Sequence, residues 1–283
     1  MKLQKSCMST VYKITGDEYS YLLPVLKAII DVTNESGIDF VVIGATARDF
    51  LIESVFQVNL NCRATKDVDF AIMIDNWEAY ENVVQILKEK FNFEDHPQKQ
   101  RLLFNSLPVD IIPFGSIAID GEISWPPDGS IQMNVSGFEE VFESSLICER
   151  AGIQFHVANL EGFFISKIIA WSDRKVKMTK DAEDIGVILY NYNDFYTGDL
   201  FEDNIELIDR PDYDYIKTGA ILLGKRLKRI LNNSSRLKEE IIAILQQEIV
   251  DKEGSLLAQN LSNNKSFDEN FVMIELFYKE IIT

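Results

Sequence analysis

The first half of the chain alternates short apolar stretches with segments of helical periodicity, and this alternation limits the folds available to it. Residues 39–43 (DFVVI) and 67–74 (DVDFAIMI) have the apolar, β-branched composition of buried strands. Residues 22–35 and 77–90 repeat apolar positions every three or four residues, which predicts helices. Strands separated by helices in this way predict a sheet with helices packed against it.

The second half of the chain is mostly helical in its pattern. Its clearest helical segments are residues 160–171 and 181–192, and two more helices are expected near residues 237–250 and 267–282. A polar connector at residues 194–214 carries eight acidic side chains and one arginine. We therefore predict an α+β fold in two domains. Residues 1–158 form a mixed sheet with flanking helices, and residues 159–283 form a mostly helical C-terminal domain.

Composition limits the function classes. The chain has 45 acidic and 28 basic side chains, and its net charge of −17 argues against a protein that coats nucleic acid with its whole surface. A local basic patch is compatible with that charge. No apolar run approaches the roughly 18 residues of a membrane helix. The first residues lack the apolar block of a signal peptide, and three scattered cysteines fit neither a disulfide framework nor a zinc ribbon. We expect a cytoplasmic protein without membrane association.

The sharpest local feature is the pair of carboxylates at Asp67 and Asp69. Residues i and i+2 of a strand face the same side, so both carboxylates should project together while Val68 and Phe70 face the core. Carboxylates this close repel each other, and a divalent cation such as Mg²⁺ or Mn²⁺ relieves the repulsion. Two ordinary surface acids at a solvated strand edge are the alternative interpretation.

A third acid, Asp110, also favours a metal site. Asp110 is the lone acid in an otherwise apolar stretch, residues 107–112 (LPVDII). If this strand lies beside Asp67 and Asp69, the three carboxylates complete a two-metal site for phosphoryl transfer. The alternative is an acid at the exposed end of a strand.

A small-residue turn follows the first apolar strand. Gly44, Ala45 and Thr46 lie between that strand and a helical segment, a geometry that offers backbone N–H groups to an anion such as a triphosphate. Arg48 and Lys66 lie near the turn and the acids and are candidates for phosphate contacts. Solvated surface bases are the alternative for both.

Together these residues resemble the nucleotidyltransferase superfamily of the DNA polymerase beta type, and more closely the AbiEii-type nucleotidyltransferases. The similarity extends to a bacterial branch of that family through five ordered motifs: residues 44–49 (GATARD), 63–71 (RATKDVDFA), 107–115 (LPVDIIPFG), 125–128 (WPPD) and 133–140 (MNVSGFEE). The resemblance implies a nucleotidyltransferase-type mixed sheet. The turn reads Gly-Ala where Gly-Ser or Gly-Gly is usual, so a hydroxyl for the phosphate would come from Thr46 or be absent.

The resemblance continues into the helical half, where AbiEii-type proteins carry a lysine on one helix and a Lys-Asp-x-x-Asp motif on the next. Lys167 lies among phenylalanines and isoleucines, an awkward place for a charge unless it reaches an anion; a snorkelling lysine is the alternative. Asp184 follows Lys180 by four residues, the weaker order for a helical ion pair, so we expect its partner outside the helix. For Asp181, a position near a helix N-terminus is a sufficient explanation.

The activity that the resemblance implies is metal-dependent transfer of a nucleoside monophosphate from an NTP to a hydroxyl acceptor. It assigns Asp67, Asp69 and Asp110 to Mg²⁺ or Mn²⁺, and Asp110 also to deprotonation of the acceptor. It assigns Lys167 and Asp184 to the nucleotide site, with Lys167 neutralising charge on the nucleotide.

The acceptor is open at this stage. AbiEii-type toxins include enzymes that add nucleotides to tRNA ends, which makes tRNA the first candidate. A stretch with seven basic residues and no acid, residues 217–238, is either a source of phosphate contacts or an amphipathic helix. A protein or small-molecule acceptor is the second hypothesis. A non-catalytic nucleotide-binding module, such as one half of a toxin–antitoxin pair with an antitoxin partner, is the third.

Overall fold

The protein is built around a mixed sheet, seen in a computed structural model that describes residues 10–60, 67–202, 204–262 and 264–283. The strands in these ranges are β1 (Val11–Lys13), β2 (Phe40–Ile43), β3 (Val68–Met73), β4 (Glu94–Asp95), β5 (Arg101–Phe104), β6 (Leu107–Phe114), β7 (Glu122–Trp125), β8 (Ile131–Asn134), β9 (Leu146–Arg150) and β10 (Ile153–Val157). Eight strands form one sheet in the order β1-β9-β10-β2-β3-β6-β5-β4, and β7 pairs with β8 in a separate hairpin.

Helices pack around the sheet and dominate the C-terminal half. They are α1 (Leu23–Ser36), α2 (Gly44–Asp49), α3 (Trp77–Phe91), α4 (Phe138–Glu143), α5 (Leu160–Arg174), α6 (Lys180–Phe195), α7 (Thr197–Glu202), α8 (Ile205–Ile208), α9 (Tyr215–Leu231), α10 (Ser235–Val250), α11 (Leu256–Asn260) and α12 (Phe267–Ile282). The expected α+β fold, a mixed sheet with flanking helices followed by helices, is therefore confirmed.

The middle of the sheet is its most buried part. Strand β2 pairs antiparallel with β3, and β3 pairs parallel with β6. All four side chains of β2 are buried, as are Val68, Phe70 and Ile72 on β3. Burial of these apolar side chains fixes the register of β3, because a slip by one residue would exchange its buried and polar faces.

Several elements differ from the sequence-based expectations. The helical segment expected after Gly44 is α2 followed by a π-helical turn, Phe50–Val55. The acidic connector contains the short helices α7 and α8. The β7–β8 hairpin was not expected, because strands of four residues are too short to show a clear alternation.

The helices of the C-terminal half share one hydrophobic cluster with the sheet. Helix α5 contacts α6 and also α2 and α4 of the sheet-containing half, and α9 packs against α12. The division into two domains at residue 158 stays a prediction. In the part of the chain that the structure describes, each helix is too short or too polar to span a bilayer.

Candidate active site

Three aspartates meet at the centre of the sheet. Asp69 on β3 lies directly opposite Asp110 on β6 in the parallel pairing, and Asp67 immediately precedes β3. One carboxylate oxygen from each of the three lies within 4.8 Å of the other two. Because side chains alternate between the faces of a strand, this register directs all three to one face. The site is a group of oxygen donors suited to a divalent cation.

The electrostatics of the cluster are unfavourable for three ionised acids. The pKa of Asp69 is raised to about 7, first by burial and then by the negative charges of Asp67 and Asp110. Positive charge on Lys167 and Arg101 acts in the opposite direction. A cation bound among the three carboxylates would remove the repulsion, so the donor set fits a divalent metal ion.

Arg101, which was not among the residues expected at the site, pairs with two of the acids. Its Nε donates to Asp110 Oδ1 at 2.6 Å and its Nη2 to Asp110 Oδ2 at 2.9 Å. The same Nη2 lies 3.0 Å from Asp67 Oδ2. This fork geometry is typical of arginine with carboxylates, and it raises the pKa of Arg101 above its usual value.

The position of Arg101 follows from a hairpin that the sequence does indicate. Strand β5 ends at Phe104, and Asn105 and Ser106, both with positive φ, form a two-residue turn before β6. Such a turn is characteristic of hairpins. Counting outward from it pairs Arg101 with Asp110, as observed. The signal was available in the turn residues but not in the arginine itself.

The turn after β2 packs directly against Asp69 and is hydrogen-bonded to Asp67. Gly44 has a φ of +67°, and a Cβ on it would lie 2.1 Å from Asp69 Oδ2. The buried Thr46 hydroxyl donates to the backbone carbonyl of Asp67 at 3.3 Å. The Thr46 hydroxyl is therefore engaged with the protein, and backbone N–H groups of Gly44 and Ala45 are the groups of this turn to consider for a phosphate.

We expect Gly44→Ala to lower the stability of the protein and to displace Asp69. A non-glycine residue at positive φ costs roughly 1–2 kcal/mol, and the added methyl group also overlaps the Asp69 carboxylate. Gly37→Ala is the matched control, since its φ is +66° and a Cβ there meets no atom within 4 Å. Thermal unfolding and Mn²⁺ affinity are the measurements. Equal loss of stability in both variants, with Mn²⁺ affinity kept, would contradict the expected clash.

The Asp184 carboxylate forms ion pairs with two basic side chains, one on each oxygen. Arg48 Nη1 donates to its Oδ1 at 2.8 Å, and Lys167 Nζ lies 2.5 Å from its Oδ2. Arg48 also pairs with Asp49 at 2.7 Å and is only 1% exposed. Asp184 therefore has two partners outside its own helix, Arg48 on α2 and Lys167 on α5, as expected. The predicted phosphate contact by Arg48 does not fit this burial, because its guanidinium lies inside the protein.

Asp181 lies in the first turn of α6, as expected, but it also belongs to this buried ionic network, so its position near the helix N-terminus is not a sufficient explanation. It is fully buried and accepts hydrogen bonds from Arg174 at 2.5 and 2.7 Å. Lys167 Nζ lies 3.2 Å from it. Burial alone would raise the pKa of Asp181, but the hydrogen bonds and charges of Arg174 and Lys167 lower it below its usual value.

Lys167 connects this network to the acid cluster. Its side chain is 13% exposed and its ammonium lies 5.3 Å from the centre of the Phe163 ring. Its positive charge lowers the pKa of Asp69. The lysine is therefore close to both groups of acids. Lys66, the other predicted phosphate contact, lies outside the residues that the structure describes.

The basic stretch at residues 217–238 forms most of α9 and the start of α10. Ten residues of α9 are buried, as an amphipathic helix requires. Arg226 pairs with the buried Glu161 at 3.0 Å and lies 3.8 Å from the centre of the Tyr196 ring. Lys225 pairs with Glu206 at 2.8 Å. At least these two bases are engaged within the protein.

The fold has distant likenesses among solved structures. An antigenic nucleotidyltransferase-like protein from Paracoccidioides brasiliensis is 19% identical with a TM-score of 0.41, over 80% of this chain and 94% of that one. ANT(2″)-Ia in complex with adenylyl-2″-tobramycin is 14% identical with a TM-score of 0.37, over 57% and 83%. A tRNA-processing enzyme in its apo form is 13% identical with a TM-score of 0.32, over 94% and 78%. These likenesses are too distant to assign a function.

A family model also matches most of the chain. The family model described as "Nucleotidyl transferase AbiEii toxin, Type IV TA system" matches residues 29–268. The match includes the acid cluster, the turn at Gly44 and the buried network around Asp184. No curated protein matches the chain.

Proposed function

The chain belongs to the AbiEii nucleotidyl transferase family, and from this premise we propose that it is a metal-dependent enzyme that transfers a nucleoside monophosphate from an NTP to a hydroxyl acceptor. Nucleotidyl transfer in general follows from the family. The dependence on Mg²⁺ or Mn²⁺ is supported by one observation above all, the grouping of the Asp67, Asp69 and Asp110 carboxylates within 4.8 Å.

The three aspartates are the proposed metal ligands. Hard oxygen donors in a cluster of this kind suit Mg²⁺ and Mn²⁺ better than softer metals. A bound divalent metal would supply positive charge for the triphosphate and for the charge that develops during transfer. Asp110, on the strand next to β5, is the proposed acceptor of the proton from the attacking hydroxyl.

The turn and the helical half supply the proposed nucleotide contacts. Backbone N–H groups of Gly44 and Ala45 would bind phosphate oxygens, since Thr46 donates its hydroxyl to the protein. Lys167 would neutralise charge on the nucleotide. Asp184 would act through Lys167, because its carboxylate orients that ammonium. Positioning and electrostatics of this kind account for most of the rate gain expected in phosphoryl-type transfer.

The proposed acceptor is RNA, with tRNA as the first candidate, and the proposed setting is a toxin–antitoxin pair. The family description, which names a toxin of a type IV system, supports an antitoxin partner. A protein or small-molecule acceptor is the second candidate, which the acidic net charge of −17 favours. A nucleotide-binding module without catalysis is the third.

A labelling experiment tests these candidates. The purified chain is incubated with each α-labelled ribonucleoside triphosphate, Mg²⁺, and either total tRNA or a lysate treated with ribonuclease. Label on RNA is the expected result, and label on protein would support the second candidate. NTP binding without label on any species would contradict the proposed enzyme. Asp67→Asn is the control that should give no label.

A further inference from the structure

Arg101 differs from the other basic side chains around the acid cluster in the acids that it pairs with. Lys167 is held by Asp181 and Asp184, whose side chains are 0% and 5% exposed. Arg48 is buried and pairs with the same Asp184. These partners lie outside the proposed metal ligands, so Lys167 and Arg48 keep them when a metal ion binds. Arg101 pairs with the proposed ligands themselves.

The Arg101 guanidinium and a divalent ion would compete for the same carboxylate oxygens. Arg101 donates to both oxygens of Asp110, at 2.6 and 2.9 Å, and to Oδ2 of Asp67 at 3.0 Å. Two cations on one group of oxygens also repel each other. Binding of a metal ion by these acids therefore leaves the guanidinium without its present partners.

A guanidinium released in this way remains beside the site. Arg101 lies on β5 directly opposite Asp110 on β6, and its side chain is only 20% exposed. A charge that is largely shielded from water needs another partner, because an unpaired charge is costly to bury. The planar fork of arginine matches the oxygens of phosphate as well as those of carboxylate. The triphosphate of an NTP is an anion that the proposed reaction brings to this place.

We propose that Arg101 is a further nucleotide-binding residue, which exchanges Asp67 and Asp110 for the triphosphate of a metal-bound NTP. The inference rests on the proposed function and adds a form of regulation to that site. In the absence of nucleotide, Arg101 keeps the acids paired and holds the metal affinity low. In its presence, the same side chain contributes to phosphate binding. Metal and nucleotide thus favour each other's binding, and the site selects the metal–NTP complex over the free ion.

Two affinities, measured by titration calorimetry at pH 8, test this exchange without catalysis. Mn²⁺ is titrated alone, and the non-hydrolysable α,β-methylene analogue of each ribonucleoside triphosphate is titrated at saturating Mn²⁺. Arg101→Ala should bind Mn²⁺ at least about five-fold more tightly and the analogue at least about five-fold more weakly, because it removes hydrogen bonds between charged groups in both states. Shifts of opposite sign in one variant are the expected result.

Three further variants control this measurement. Lys99→Ala removes the same charge from an exposed position two residues earlier, and both affinities should stay within about two-fold of wild type, since salt screens exposed charges. Arg101→Lys keeps the charge without the fork, so it should recover part of the analogue affinity. Arg101→Gln keeps an amide donor and should shift both affinities in the same directions as alanine. Circular dichroism and thermal unfolding check that each variant is folded.

The outcomes separate this proposal from the proposed function. If Arg101→Ala bound both Mn²⁺ and the analogue more weakly, Arg101 would only support the acids, and the exchange would be overturned. Tighter Mn²⁺ binding with unchanged analogue affinity would also overturn it, because the released guanidinium would not reach the triphosphate. Either result, combined with label on an acceptor, leaves the proposed function standing. The two expected shifts without label on any acceptor would support the role of Arg101 and contradict the proposed enzyme.

Discussion

Asp69→Asn is expected to abolish nucleotidyl transfer, with a loss of at least about 10³-fold, while the folded protein becomes more stable. The substitution removes one of three clustered carboxylates and keeps the shape of the side chain. It also removes a charge that the folded state disfavours, because burial and two neighbouring acids raise the pKa of Asp69 to about 7. Loss of function together with a gain of stability is the signature of a residue kept for chemistry.

The stability gain should depend on pH. An aspartate in an unfolded chain has a pKa near 3.9, so between about pH 4 and pH 7 the folded state holds a proton that the unfolded state has released. Stability therefore falls as pH rises through this window, and the loss is complete above pH 7. Asparagine does not ionise. The difference in unfolding free energy between variant and wild type should be small at pH 4 and reach roughly 4 kcal/mol at pH 8, because each of the three pKa units corresponds to about 1.4 kcal/mol.

A divalent metal should make the wild type more stable relative to the Asp69→Asn variant. Mn²⁺ at pH 8 should raise the unfolding temperature of the wild type and leave that of Asp69→Asn nearly unchanged, because only the wild type retains all three ligands. Asp75→Asn removes an exposed acid in the loop after β3 and is the control. Wild-type turnover in Asp69→Asn, or an identical response to Mn²⁺, would refute the metal assignment.

Asp184→Ala is expected to destabilise the protein by about 3–5 kcal/mol, the range for removing one partner of a buried ion pair. The Arg48 guanidinium, which is only 1% exposed, and the Lys167 ammonium both lose a carboxylate. Asp184→Asn keeps the shape and loses the charge, so a smaller loss is expected. Urea unfolding monitored by circular dichroism provides the measurement.

Glu183→Ala is the matched control for this substitution. Glu183 is adjacent in sequence but exposed, and its hydrogen bond is to Thr179 on the surface. Its removal should change the unfolding free energy by no more than about 0.5 kcal/mol. If Asp184→Ala lost no more stability than Glu183→Ala, the network around Asp184 would not hold the helices together. A folded Asp184→Asn variant with reduced transfer would support its role in positioning Lys167.

The strands at the centre of the sheet could be predicted because their burial leaves a strong apolar signal. Strands β2 and β3 match the predicted segments to within one residue at each end. Arg101 and Asp181 could not be predicted in the same way. Asp181 is one of several charged residues in its segment, and only the tertiary structure shows that its charge is paired. Arg101 could be placed only by counting from the Asn105-Ser106 turn, which pairs it with Asp110. The same limit applies to Arg48, which the sequence suggested as a phosphate contact or a solvated base and which is buried in the structure.

A cavity of about 330 Å³ lined in part by Trp77, Lys99 and Trp125 shows a different limit. Trp77, Lys99 and Trp125 come from α3, a loop and a hairpin that are separated in sequence. Side chains brought together by long-range packing leave no common periodicity in the sequence. The WPPD motif was visible, but what surrounds it was not.

The Arg101 guanidinium bridges Asp67 and Asp110, so the charge of these two acids is already partly neutralised by a side chain of the protein. A divalent ion that binds the same oxygens enters by exchange, because it must replace hydrogen bonds of 2.6 to 3.0 Å. The measured free energy of metal binding is therefore the difference between the metal–carboxylate interaction and the Arg101–carboxylate interaction that it replaces. The displaced guanidinium remains tethered on the neighbouring strand, so loading the site releases a positive charge beside it.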